Sequence, residues 1–177
     1  MNNKKSIIKF QILSSILIAI LGTILHFTYN WSNENLLVST FSSINESTWE
    51  HLKLLFFPTL ITIIIGNFYI GKKIPNFLCA KTISIIISIS FTTIFFYTYT
   101  GILGTNFAIL NIAIFFIAII LGEFIAYKLM ISNFTCNSKI SLIILIILLI
   151  FFILFTFSPP RIGLFKDPIS EGYGINF

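Results

Sequence analysis

Apolar positions do not alternate along this chain. They run together in five long stretches separated by short polar breaks, at Ile7–Tyr29, Trp49–Ile70, Thr82–Thr100, Thr105–Leu129 and Ile140–Phe157. Each run is close to the about 20 residues that an α-helix needs to cross a bilayer core. The many β-branched Ile residues would favour strands in water. In hydrocarbon, however, every backbone N–H and C=O must be satisfied within its own segment, which selects helices for runs of this length. The pattern therefore predicts an all-α polytopic membrane bundle of five transmembrane helices. It forms a single domain over 1–157, and a polar-and-apolar tail over 158–177 folds back over one mouth of the bundle.

The runs are not equivalent. Ser15, Ala19 and Gly22 in the first, Ser84, Ser88 and Thr92 in the third, and Ala118, Gly122 and Ala126 in the fourth place small residues at helical spacing. Small stripes let helices approach closely in lipid. The fifth, from Leu142 to Phe155, is entirely Ile, Leu and Phe and is expected at the periphery, facing lipid.

Composition agrees. The chain is 56% hydrophobic and only 10% charged over 177 residues, whereas a soluble domain carries roughly 25% charged residues. A net charge of +5 could suggest nucleic acid, but the basic residues form no stripe and sit at the ends of apolar runs, which excludes that partner. With the N-terminus inside, Lys4, Lys5, Lys9, Lys72, Lys73, Lys81, Lys128 and Lys139 fall on the inner side, and only Lys53, Arg161 and Lys166 on the outer, eight against three. The positive-inside rule favours that orientation, with the tail outside. Tyr29, Trp31, Trp49, Tyr97 and Tyr99 then mark the outer boundary, and Tyr69 and Tyr127 the inner. The first run is too long for a cleaved signal peptide. Cys79 and Cys136 fit no metal or redox spacing, and on the inner side they are expected as unpaired thiols.

Most of the chemistry is concentrated in one stretch, Asn45-Glu46-Ser47-Thr48-Trp49-Glu50-His51-Leu52-Lys53. Ser47 followed by Glu50 reads as a capping box at a helix start. At about 100° per residue, Lys53 lies on one side of Glu50 and His51 on the other, so the three cannot converge on one ligand from this helix alone. Lys53 either pairs with Glu50 or Glu46, or snorkels outward. Pro58 frees the carbonyl of Leu54 and predicts a kink. His26, near the outer end of the first run, shares a depth with His51 and Glu50, and these three are the candidate metal ligands, zinc being the natural ion. Glu123 is expected at the inner boundary near Lys128. In the tail, Arg161 or Lys166 is expected to meet Glu46 or Glu50, and Asp167 to meet Lys53.

The motif Asn45-Glu46-Ser47-x-Trp49-Glu50-His51-Leu52-Lys53 with Pro58, and the tail Pro159-Pro160…Asp167-Pro168…Tyr173-Gly174-Ile175, resemble a family of small bacterial integral membrane proteins of unknown function. The resemblance implies a multi-pass protein of a bacterial cytoplasmic membrane with about five spans, and implies no activity.

Three functions compete on these residues. The cluster Asn45, Glu46, Ser47, Trp49, Glu50, His51, Lys53, Arg161 and Asp167 can form a structural cap, or an outer-face binding site for a lipid headgroup, small molecule or partner. Alternatively Glu50 and His51 serve a membrane-embedded enzyme, possible metal chemistry included, on a lipid-linked substrate. A small transporter ranks last, since few polar groups lie at mid-span. The bilayer is the one partner that the sequence names. Neither a cofactor nor a protein partner can be read from it.

Overall fold

The computed structural model describes residues 2–175. Six α-helices follow one another: α1 Asn2–Trp31, α2 Leu36–Ser39, α3 Thr48–Tyr69, α4 Phe77–Leu103, α5 Ala108–Met130 and α6 Ser138–Phe157. All but α2 are long and apolar enough to cross a membrane. No strand occurs among the described residues, apart from one isolated bridge between Lys166 and Tyr173. The expected runs are all present, with shifted ends. α1 extends five residues before Ile7, and α4 starts five residues before Thr82, so that Lys81 lies inside it. The short α2 was not legible in the hydropathy pattern. Asn35 caps it through its side chain, which accepts from the Leu37 amide at 2.9 Å.

α1, α3, α4 and α5 form a closed ring in which each packs on the next, and α6 lies outside against α4. α3 is the most enclosed of the five spans and α6 the least, as the uninterrupted Ile, Leu and Phe of α6 imply. Its inner edge is held by Phe152, which stacks on Trp49 and Phe56 of α3 at 4.6 and 4.7 Å between ring centres. Two apolar clusters fill the ring, one around Leu52, Phe56, Phe77 and Ile85, the other around Ile18, Leu55, Ala118 and Ile119.

Small residues set the helix spacings. A Cβ on Gly122 would meet Ser84 and Ser88 of α4, and the Ser88 hydroxyl donates across that seam to the Ala118 carbonyl at 2.8 Å. Gly22 of α1 faces the Leu54 carbonyl that Pro58 leaves without its helical donor. A Cβ there would stand 2.5 Å from that oxygen. Glycine thus lets α1 close over a backbone group which hydrocarbon would otherwise strand.

Two expectations are corrected here. Glu123 does not stay near Lys128. It turns inward to pair with Lys81, both side chains being buried, because a charge on a ring-facing position of α5 has no water to reach and must find a counter-ion. Cys79 and Cys136 are not separate thiols: the structure bonds them to each other, joining the start of α4 to the connection between α5 and α6, with Cα atoms 6.4 Å apart. The two positions are far apart in sequence, and only the α4–α5 hairpin brings them together.

Enlarging Gly122 tests the seam. Gly122→Leu is expected to cost about 1–3 kcal/mol, seen as an earlier thermal or denaturant transition in detergent. Gly101→Leu, where an added Cβ meets nothing within 4 Å, is expected to leave the transition in place.

Candidate functional site

The start of α3 carries two separate constellations, divided as the helical angles require. On one side, Lys53 Nζ donates to Glu50 Oε2 at 2.6 Å, to the Ser39 carbonyl at 2.9 Å and to the Ser42 carbonyl at 3.3 Å. Lys53 is wholly buried and Glu50 nearly so. Lys53 therefore does not snorkel, because three acceptors already satisfy its three N–H groups. Glu50 Oε2 also accepts the Ile44 amide at 3.1 Å. The capping box is consequently only half formed. Ser47 Oγ accepts from the Glu50 amide at 3.3 Å, but the reciprocal contact to the Ser47 amide comes from Asn45 Oδ1 at 2.9 Å. Glu50 has been drawn away by the stronger, charge-assisted partner.

On the other side, His51 Nδ1 donates to the Ser47 carbonyl at 2.9 Å. That bond aims Nε2 outward, where it lies 3.2 Å from His26 Nε2 and 3.3 Å from Glu46 Oε2. His26 Nε2 is 3.9 Å from Glu46 Oε1. The three side chains are half-exposed, and one ligand atom of each lies within 4.8 Å of the other two. Tetrahedral zinc with bonds of about 2.0–2.1 Å separates its ligands by about 3.3 Å, so two of the three edges already match. A metal-ligating His commonly donates its other ring nitrogen to a backbone carbonyl, which is what His51 does.

The third group beside the histidines differs from the one anticipated. Glu46, not Glu50, joins the two histidines, because Glu50 is committed to Lys53. Glu46 precedes the helix, so helical phase could not place it. The available signal was its acid side chain just before the N-cap, at the depth of both histidines. The Glu46 carboxyl is held below its usual range chiefly by the hydrogen bond from His51, which outweighs partial burial. A carboxyl more acidic folded than unfolded contributes stability that is complete above the ordinary value of about 4.3 and is lost as pH falls through the lower folded value.

The remaining predicted residues stand around this pair of constellations. Trp49 packs on Phe152, Phe155 and Phe165, joining α3 to α6 and the tail. The tail returns along the same end: Asn45 Nδ2 donates to the Gly174 carbonyl at 3.4 Å, and the Ile175 amide to the Thr156 carbonyl at 3.3 Å. Its anticipated ion pairs do not form. Lys166 pairs with Glu171 at 3.5 Å, and Arg161 is exposed, with no acidic partner among the described residues. Asp167 accepts instead from the Ser170 hydroxyl and the amides of Ile169 and Ser170, with the Glu46 amide also within its reach. Burial would raise the Asp167 carboxyl, but those donors outweigh it and hold the carboxyl below its usual range. Asp167 thus positions the tail and the Glu46 backbone and does not meet Lys53.

Lys53→Met, which leaves Glu50 buried without a counter-ion, is expected to cost about 3–5 kcal/mol. The double variant Lys53→Met/Glu50→Gln is expected to recover part of that loss. Denaturant unfolding in detergent reads both, and equal costs for single and double variants would contradict a coupled pair.

No curated protein and no solved structure matches this chain. A family model does: residues 1–175 match a family of unknown function, DUF6512. This coverage takes in α1 to α6 and the tail, and the chain belongs to that family.

Proposed function

We propose that this is a multi-pass membrane protein that binds a divalent transition metal, zinc by preference, at His26, Glu46 and His51. The observation that carries the reading is the convergence of two imidazole Nε2 atoms and a carboxylate at 3.2 and 3.3 Å from His51 Nε2. Two nitrogens and one oxygen suit zinc, and three protein ligands leave a fourth position for water or a bound group. Without a metal, both ring nitrogens of His51 have acceptors, so the ring holds a proton that the ion replaces on binding. Glu50 and Lys53 are then the structural cap of the same end.

The excess of lysine at the opposite end supports placing this site on the outer face of a bacterial cytoplasmic membrane. With Lys53 and Lys81 both buried in ion pairs, seven lysines remain at that end and two basic residues, Arg161 and Lys166, near the site. The Cys79–Cys136 pair lies at the lysine-rich end, where a reducing compartment would open it. A membrane-impermeant maleimide, added with reductant, is expected to label Cys136 only after cells are permeabilised. Labelling in intact cells would reverse the orientation.

Metal analysis of the detergent-purified protein tests the site. One zinc per chain is expected, lost in His26→Ala and His51→Ala and weakened about 10–100-fold or more in Glu46→Gln, while Glu34→Gln keeps it. Affinity is expected to fall as pH drops and protons compete with the ion for the imidazole nitrogens. Folded wild type that takes up no zinc would refute the reading.

A further inference from the structure

At the end of the bundle remote from the histidines, α1 and α3 enclose a groove of about 290 Å³. Its wall on α1 is built from residues three and four apart, Lys9, Phe10, Leu13 and Ser14, which therefore share one helix face. Ile65 and Tyr69 of α3 close the other side. Phe10 can pack beside the groove because α3 has no side chain at Gly66, where a Cβ would run into the Phe10 ring. The Phe10 ring is fixed in turn edge-on against Phe77 at 5.9 Å. Above, the mouth carries Lys9 at its rim, with Lys5 beside it on a neighbouring indentation. Neither lysine has an acidic partner among the described residues, in contrast to Lys53 and Lys81, which each have one.

Inside the groove, Ser14 is the exceptional group. Its side chain is 3% exposed, and its hydroxyl has no hydrogen-bond partner. Ser15, by contrast, bonds back to the Gln11 carbonyl at 2.9 Å, the usual arrangement for a helical serine in an apolar setting. A buried, unsatisfied hydroxyl is costly, and Ser14, which lines the apolar slot, keeps that hydrogen-bonding capacity unspent. Ser14 lies five residues, about 7.5 Å along the helix, below Lys9.

We infer that this groove seats an anionic diacyl phospholipid. Its phosphate meets Lys9, an ester carbonyl one glycerol length deeper accepts from Ser14 Oγ, and an acyl chain runs on past Leu17. The vertical order of cation, hydroxyl and apolar wall matches the order of phosphate, ester and chain in such a lipid. Basic pockets between transmembrane helices select anionic headgroups in this way. The inference is independent of the metal site, which occupies the other end of α1 and α3.

Native mass spectrometry of the detergent-purified protein, offered equal dioleoyl phosphatidylglycerol and dioleoyl phosphatidylcholine, reads the seat directly. Wild type is expected to retain phosphatidylglycerol by about fivefold over phosphatidylcholine. Lys9→Gln is expected to abolish that preference and Lys139→Gln, remote from the groove, to preserve it. Ser14→Ala is expected to lower retention of the ester lipid severalfold and to leave an ether-linked analogue, which lacks the carbonyl, unchanged. Circular dichroism and the thermal transition identify any variant that fails to fold, and Ser14→Thr, which keeps the hydroxyl, is the second variant at that position, expected to hold the ester lipid. Equal retention of the two lipids by wild type, equal effects of the two lysine substitutions, or a Ser14→Ala protein that holds ester and ether lipids as wild type does, would each overturn the assignment.

Discussion

The buried Lys53–Glu50 pair is the contact on which this end of the molecule depends. An ammonium and a carboxylate with almost no exposure are tolerated in an apolar bundle only when they are paired and hydrogen-bonded. Here that requirement recruits backbone. Lys53 needs the carbonyls of Ser39 and Ser42, and Glu50 needs the amide of Ile44. The connection between α1 and α3 is thereby drawn down onto the head of α3. Once there, Ser42 ties it to α1, its hydroxyl donating to the Leu25 carbonyl and accepting from the Tyr29 amide. That lock sets the end of α1 beside the start of α3, with His26 facing His51, and leaves Glu46 at the last bend before the helix. The charged pair determines where the three prospective ligands stand.

A similar economy appears at the far end, where Lys81 and Glu123 pair across α4 and α5 and Gln11 of α1 donates to the Glu123 carbonyl at 2.9 Å. Both ion pairs are buried. The surface offered to lipid is consequently left to Ile, Leu and Phe, and the exposed charges collect at the two ends. The seam between α4 and α5, where serines and glycines interleave, brings these helices close enough for the second pair to form.

Much of this was legible in the chain. Run length and the obligation to satisfy the backbone within each segment were sufficient for five spans, and the unbroken apolar run of α6 was sufficient for its outer position. The serine cap of α3 and the division of Glu50, His51 and Lys53 between two faces followed from helical phase. What could not be read depended on partners distant in sequence. The Ser39 and Ser42 carbonyls that hold Lys53 carry no side-chain signature. The meeting of Glu123 with Lys81, and of Cys79 with Cys136, required the α4–α5 hairpin to be in place. The place of Glu46 beside the histidines is not legible in helical phase, because it is set by a loop, and the loop by the buried pair. Charge alone points Arg161 or Lys166 to Glu46 or Glu50 and Asp167 to Lys53, whereas Glu50 is taken by Lys53, Lys166 by Glu171 and Asp167 by local turns of the tail.

The coordination shell itself is the most direct test of the central claim. X-ray absorption at the zinc edge of the zinc-loaded wild-type protein should show four light ligands at about 2.0–2.1 Å. The multiple scattering should correspond to two imidazoles, with no sulfur in the shell. A sulfur shell near 2.3 Å, or six oxygens without imidazole, would place the metal elsewhere and contradict the assignment of His26, Glu46 and His51.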